Sequence, residues 1–161
     1  MGVNRVDTEA SAITPASRKA RSILLVDDND DHAELVRRAF SMTGRPHELL
    51  RVEDGEQALH FLLGGGAGAA DAAECSLILL DLRLPRLSGI EVLRSLRESA
   101  RFPLAPIVVL TTSAADSDIT AAYENGAHAY VVKPTDFSSF GELARDLARF
   151  WLGWNRTPNS D

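Results

Sequence analysis

Four short apolar runs, each ending on a chemically active side chain, constrain this chain more than any other feature. Ile23-Leu24-Leu25-Val26 runs into Asp27-Asp28, and Leu77-Ile78-Leu79-Leu80 into Asp81; Ile107-Val108-Val109-Leu110 runs into Thr111, and Tyr130-Val131-Val132 into Lys133-Pro134. A run of branched aliphatics without polar alternation reads as a strand buried on both faces, as in a parallel sheet. Residues just past such strands stand at the carboxyl edge, where open α/β sheets carry their ligands. If the strands lie parallel and adjacent, an acidic cluster, a hydroxyl and an ammonium converge on one small patch.

Helical stripes lie between the runs. Asn29-Asp30-Asp31 supplies capping residues, and Asp31 stands three before Glu34, an Asp form of the capping box; Ala33, Val36 and Phe40, with Leu35 and Ala39, follow at helical spacing. Gly44-Arg45-Pro46 ends that helix, and Glu48 to Val52 reads as a short strand. Gly55 starts a second helix through Ala58, Leu59, Leu62 and Leu63, which Gly64-Gly65-Gly66-Ala67-Gly68 breaks into a surface loop reaching Ser76. No strand precedes those glycines and no Lys-Ser/Thr pair follows them, which argues against a phosphate cradle. Ser88-Gly89 opens a third helix with Gly89, Val92, Leu93 and Leu96 on one face. Ser117 or Asp118 caps a fourth, carrying Ile119, Ala122 and Tyr123 and closed by Asn125-Gly126. Phe140, Leu143, Ala144, Leu147 and Trp151 stripe the last helix. This alternation predicts a parallel sheet with helices on both faces and right-handed crossovers. Residues 1–21, polar and without period, read as a flexible arm, residues 22–152 as one domain, and residues 153–161 as a short tail.

Composition narrows the function. A chain of 161 residues with 45% hydrophobic content suits a single core. Its formal net charge of −6 argues against a broad nucleic-acid surface. The lone Cys75 excludes an internal disulfide framework and a cysteine zinc cluster. No apolar run approaches the roughly 20 residues of a membrane span, and no signal-peptide core opens the chain, so a cytoplasmic location is expected.

Asp27, Asp28 and Asp81 would repel one another without a cation among them, since like charges about 4 Å apart cost on the order of 4 kcal/mol at an effective dielectric of 20. Mg2+ fits such a site: it takes one or two carboxylates, keeps several waters and leaves room for phosphate oxygens. Lys133 adds a fixed cation and Thr111 a hydroxyl donor. Taken singly, an aspartate after a strand is usually a cap or turn residue. Together these groups supply what an acyl phosphate needs: a carboxylate nucleophile, charge neutralisation and donors for the remaining oxygens. Asp81, alone after its strand and facing the Asp27/Asp28 pair, is the candidate nucleophile.

With these segments, Leu82-Arg83-Leu84-Pro85 and Gly89 after Asp81, and Ala129 before Tyr130, the chain resembles the receiver domain of two-component response regulators over about Ser22 to Leu152. The resemblance implies a flavodoxin-like fold with strand order 2-1-3-4-5 and a phosphoryl group received on Asp81 from a histidine kinase. It implies Mg2+ bound by Asp28, Asp81 and the backbone carbonyl of Arg83, with Asp27 acting through water. Thr111 and Lys133 would grip the phosphoryl oxygens, Thr111 and Tyr130 would act as switch residues, and the Lys133–Pro134 bond would be cis. Asp54-Gly55-Glu56-Gln57-Ala58-Leu59, Leu110-Thr111-Thr112-Ser113 and Phe150-Trp151-Leu152 are similar to the stand-alone regulators paired with bacterial phytochromes. That narrower likeness implies a phytochrome kinase as partner.

Two rivals are weighed against this switch. A Mg2+-dependent phosphohydrolase would need a second acid two residues after its nucleophile, where Arg83 stands. A phosphate-blind interaction module would have no use for the full set Asp27, Asp28, Asp81, Thr111 and Lys133. The expected protein is therefore not an enzyme; no DNA-binding helix-turn-helix is expected after Lys133-Pro134, and output is expected through protein contacts. Phe140, Leu143, Leu147 and Trp151 suffice to cover the sheet, whereas Phe150 and Trp154 project at other angles. This predicts a homodimer through the face of the fourth helix, fifth strand and fifth helix, with Phe150, Trp151 and Trp154 at the interface.

Overall fold

Alternate residues of the central strands face opposite helix layers, and this explains the unbroken apolar runs. The computed structural model describes residues 20–64, 75–99 and 103–157. The predicted arm up to residue 19, the glycine-rich loop at 65–74 and the tail beyond residue 157 lie outside the described residues. The strands are β1 (Arg21–Val26), β2 (His47–Val52), β3 (Cys75–Leu80), β4 (Ile107–Thr111) and β5 (Ala129–Val132). They form a five-stranded sheet in the order β2-β1-β3-β4-β5, every pair parallel. The helices are α1 (Asp30–Ser41), α2 (Gly55–Leu63), α3 (Gly89–Glu98), α4 (Asp116–Glu124) and α5 (Phe137–Arg149), and a π-helical turn, Phe150–Trp154, continues α5.

Leu24, Val26, Ile78, Leu80, Ile107 and Val109 pack on one face with Ala58, Leu62, Val92, Leu93, Leu96 and Ala122 of α2, α3 and α4. Ile23, Leu25, Leu77, Leu79, Val108 and Leu110 pack on the other with Val36 and Phe40 of α1 and Phe140 and Leu147 of α5. Each fully buried aliphatic side chain contributes about 1.5–3 kcal/mol, so these strands stay at the centre.

Strand register aligns the carboxyl ends. Val26 pairs with Leu80, Leu80 with Val109 and Val109 with Tyr130. Pairing continues one step past the strands: Asp81 N–H donates to Val26 O at 2.9 Å and Lys133 N–H to Thr111 O at 2.7 Å. Close approach of α3 to the loop after β3 explains one glycine. A Cβ at Gly89 would run into the Asp81 carbonyl oxygen, part of the rigid backbone.

Several local expectations are corrected. The cap of α1 is Asn29, whose side chain accepts from His32 N–H; Asp31 lies inside the first turn, where its charge faces the positive end of the helix dipole. Ala115, which has no side-chain acceptor, precedes α4 without a side-chain cap, and Ser117 and Asp118 both lie inside the helix, where the Asp118 carboxylate accepts from the Ser113 hydroxyl. Ser88 does cap α3, with a complete capping box to Glu91. Arg21, read as part of the arm, begins β1: its N–H donates to Pro46 O at 3.2 Å and its guanidinium to Trp151 O at 2.9 Å. The Lys133–Pro134 bond is not cis; there is no cis peptide among the described residues. Trans is the lower-energy isomer before proline by about 0.5–1 kcal/mol, and Lys133 reaches its partners in that form.

Candidate functional site

The predicted groups meet at the carboxyl edge. Asp27 follows β1, Asp81 follows β3, Thr111 ends β4 and Lys133 follows β5; all four are buried, with Lys133 only 3% exposed. A buried ammonium must be paired, and this one is. Lys133 Nζ donates to Asp27 Oδ2 at 2.6 Å and to Asp81 Oδ2 at 2.9 Å. The remaining oxygens are held by backbone in tight turns: Asn29 N–H donates to Asp27 Oδ1 at 2.9 Å and Arg83 N–H to Asp81 Oδ1 at 3.2 Å.

Asp28 differs from its neighbours. It is exposed, and among the described residues its carboxylate has no hydrogen-bond partner. Asp27, Asp28 and Asp81 each offer a carboxylate oxygen, all within 4.8 Å of one another. Three hard oxygen donors at the carboxyl edge of the sheet, two of them turned toward one lysine, leave a net negative charge. This donor set fits a hard divalent cation with open positions. Lys133 alone offsets one of three negative charges.

Thr111 is fully buried, and its hydroxyl oxygen lies 3.4 Å from Ser113 N. Tyr130, partly buried beside α4, sends its hydroxyl to the Ser113 carbonyl. Burial pushes the Tyr130 phenol above its ordinary value, with the Ser113 hydrogen bond acting the other way. The loop after β4 is thus tied to Thr111 and Tyr130 together.

Two contributors escaped sequence reasoning. Arg51, at the end of β2, donates from Nε to Asp27 O at 3.0 Å and from Nη1 to Asp30 Oδ1 at 2.8 Å. Asp30 is therefore partnered by an arginine. His32 places Nδ1 3.2 Å from Lys133 Nζ. The signal for Arg51 was a single cation within an apolar strand; His32 gave none beyond its helical position. At the other end of the molecule, Phe150 is 49% and Trp154 76% exposed. Trp151 turns inward onto the core and meets Phe150 edge-on, with ring centroids 4.9 Å apart.

Residues 23–145 match the response regulator receiver domain family. The chain belongs to that family. Among its relatives, the probable methanogenesis regulatory protein FilR2 of Methanothrix harundinacea is 41% identical over 84% of this chain and 86% of its own length. Response regulator Rcp1 of Synechocystis is 33% identical over 84% of this chain and 92% of its own. The receiver fold here is similar to the Mn2+-bound form of Rcp1, with a TM-score of 0.79 over 86% of this chain and 99% of that one. The phosphorylated cyanobacterial phytochrome response regulator RcpA matches with the same TM-score, 0.79, and 33% identity over 86% of this chain and 99% of its own. The receiver assignment agrees with the strand order and makes this chain a response regulator of two-component signal transduction. Among the described residues, no helix is long and apolar enough to cross a membrane.

Proposed function

We propose that this receiver accepts a phosphoryl group on Asp81 from the phosphohistidine of a sensor kinase. The observation that carries the reading is the buried Lys133 ammonium bridging Asp27 and Asp81, beside the open carboxylate of Asp28. The Asp81 carboxylate attacks phosphorus, the P–N bond to the kinase imidazole breaks, and its electron pair leaves with that ring. Asp28, Asp81 and the Arg83 carbonyl would hold Mg2+, with Asp27 through water; bound there, the cation neutralises charge on the incoming phosphoryl oxygens. Lys133 and the Thr111 hydroxyl receive the remaining oxygens. As Thr111 turns toward the phosphoryl group, Tyr130 follows on the loop that links them, and the face of α4, β5 and α5 changes.

A phytochrome kinase is the proposed partner, supported by the likeness to RcpA, which is a phytochrome response regulator. A cytoplasmic setting goes with it, since the phosphohistidine of such kinases faces that compartment. The hydrolase alternative still lacks its second acid, as Arg83 occupies that position with an exposed side chain. A second copy of the chain is the proposed partner for the α4–β5–α5 face. Tyr123, Val132 and Phe137 are exposed on these elements, and Phe150 and Trp154 on the turn beyond.

The test uses acetyl phosphate and Mg2+. The parent should gain one acid-labile phosphoryl group by intact mass, Asp81→Asn none, and Asp28→Ala should need more Mg2+ for the same rate. Undiminished labelling of Asp81→Asn would refute the acceptor. Sedimentation should give a dimer at micromolar concentration that Phe150→Ala with Trp154→Ala shifts toward monomer; a monomeric parent would remove the dimer.

A further inference from the structure

Lys133 carries three N–H bonds, and all three have partners. Two reach Asp27 Oδ2 and Asp81 Oδ2; the third meets His32 Nδ1 at 3.2 Å. An ammonium has no lone pair, so Nδ1 is the acceptor and the imidazole proton sits on Nε2. The ring is held in place from two sides. His32 lies in the first turn of α1, where Asn29 Oδ1 accepts its backbone N–H at 3.0 Å. Its ring meets Phe140 edge-on, with centroids 5.2 Å apart and planes at 62°. Phe140 is buried in the first turn of α5. The lysine head is thus fixed by one acceptor at the end of β1, one at the end of β3 and one on α1.

We propose that His32 is a positioning residue that aims Lys133 during phosphoryl transfer; this rests on the reading of Asp81 as acceptor. Two acceptors alone define an axis about which an ammonium can swing. A third acceptor off that axis removes the swing. When Asp81 carries a phosphoryl group, the N–H that served its carboxylate turns to a phosphoryl oxygen while Asp27 and His32 retain the other two. A neutral imidazole suits this task because it directs the ammonium without adding a negative charge to compete for it. A carboxylate in its place would draw Lys133 away from the acceptor.

The experiment compares His32→Leu, which keeps an apolar body against Phe140 and removes the acceptor, with His32→Asn, whose amide oxygen can stand near the Nδ1 position. Phosphorylation of the full chain by acetyl phosphate with saturating Mg2+ is followed by intact mass, beside the thermal midpoint of each variant. His32→Leu should phosphorylate about tenfold more slowly, at the low end of the cost of a displaced positioning group, and His32→Asn should recover to within about threefold of the parent. A folded His32→Leu as fast as the parent, or a folded His32→Asn as slow as His32→Leu, would overturn the assignment. So would equal losses of thermal midpoint in both variants with unchanged rates, the pattern of a merely structural residue. A parent that takes up no phosphoryl group would instead overturn the acceptor reading beneath it.

Discussion

The Tyr130 hydroxyl donates to the Ser113 carbonyl at 2.9 Å, joining β5 to the loop that follows Thr111. Ser113 N in turn lies 3.4 Å from Thr111 Oγ1. Tyr130→Phe removes the donor and leaves a largely buried carbonyl short of a partner. Its stability should fall by about 0.5–1.5 kcal/mol in urea unfolding, with phosphorylation rate nearly unchanged. Because burial raises the Tyr130 phenol, its neutral form favours the fold; that contribution is complete below the ordinary value of 10.0 and is lost as pH rises through the folded value. Ultraviolet titration of the parent should show the Tyr130 phenol ionising above its ordinary value.

Lys133→Met should cost more than a switch residue would. The sequence places this cation near a future phosphoryl group, yet the structure already has it buried between Asp27 and Asp81. Removing one partner of a buried ionic group costs about 3–5 kcal/mol. Urea unfolding in a metal-free buffer measures this, and added Mg2+ should recover part of the loss by opposing the same carboxylates. A loss near zero would mean that the ammonium contributes nothing to the unmodified fold.

Ser88→Ala should lower stability by about 1 kcal/mol at neutral pH, the usual cost of an N-cap. Hydrogen bonds from the Ser88 backbone, then its hydroxyl, hold the Glu91 carboxyl below its ordinary value of 4.5. A depressed carboxylate stabilises the fold above the unfolded value, and the contribution disappears as pH falls through the folded one. Alanine keeps the backbone donor, so only the part of the deficit carried by the lost hydroxyl should be flat from pH 6 to 8 and shrink in acid. Thermal midpoints across that range decide it.

Arg83 sets a further expectation, the lifetime of the phosphorylated state. Hydrolysis needs a water in line with phosphorus, and an exposed arginine two residues past Asp81 can cover the group without orienting water. The parent should dephosphorylate slowly, and Arg83→Asn should decay at least about threefold faster because its amide can hold such a water. Loss of label by intact mass after donor removal gives both rates. Equal rates would show that Arg83 plays no part.

The convergence of Asp27, Asp28, Asp81, Thr111 and Lys133 was legible in the sequence because each ends or follows a strand, and a strand buried on both faces has an unmistakable composition. Parallel pairing then leaves little freedom in where their side chains meet. Other residues were not legible because their partners depend on packing between distant segments. His32 meets Lys133 across 101 residues and Arg51 meets Asp27 across 24, contacts with no local signature. The start of α1 was misplaced for a different reason. Asn29, Asp30 and Asp31 can each cap a helix, and only the extended backbone at Asn29, φ −90 and ψ 116, selects among them.

The hydrogen bonds from Arg21 to Trp151 O and Asn155 O bring together the two ends of the described domain. They meet at the amino edge of the sheet, across the full length of β1 from Asp27. A fusion at either end therefore enters on the side remote from the chemistry. Joining the ends with a short linker and reopening the chain at another surface loop, away from the carboxyl edge, would reorder the sequence without moving any of the groups around Lys133. This geometry makes the receiver a natural insert for a larger construction, because host strands could leave and re-enter side by side.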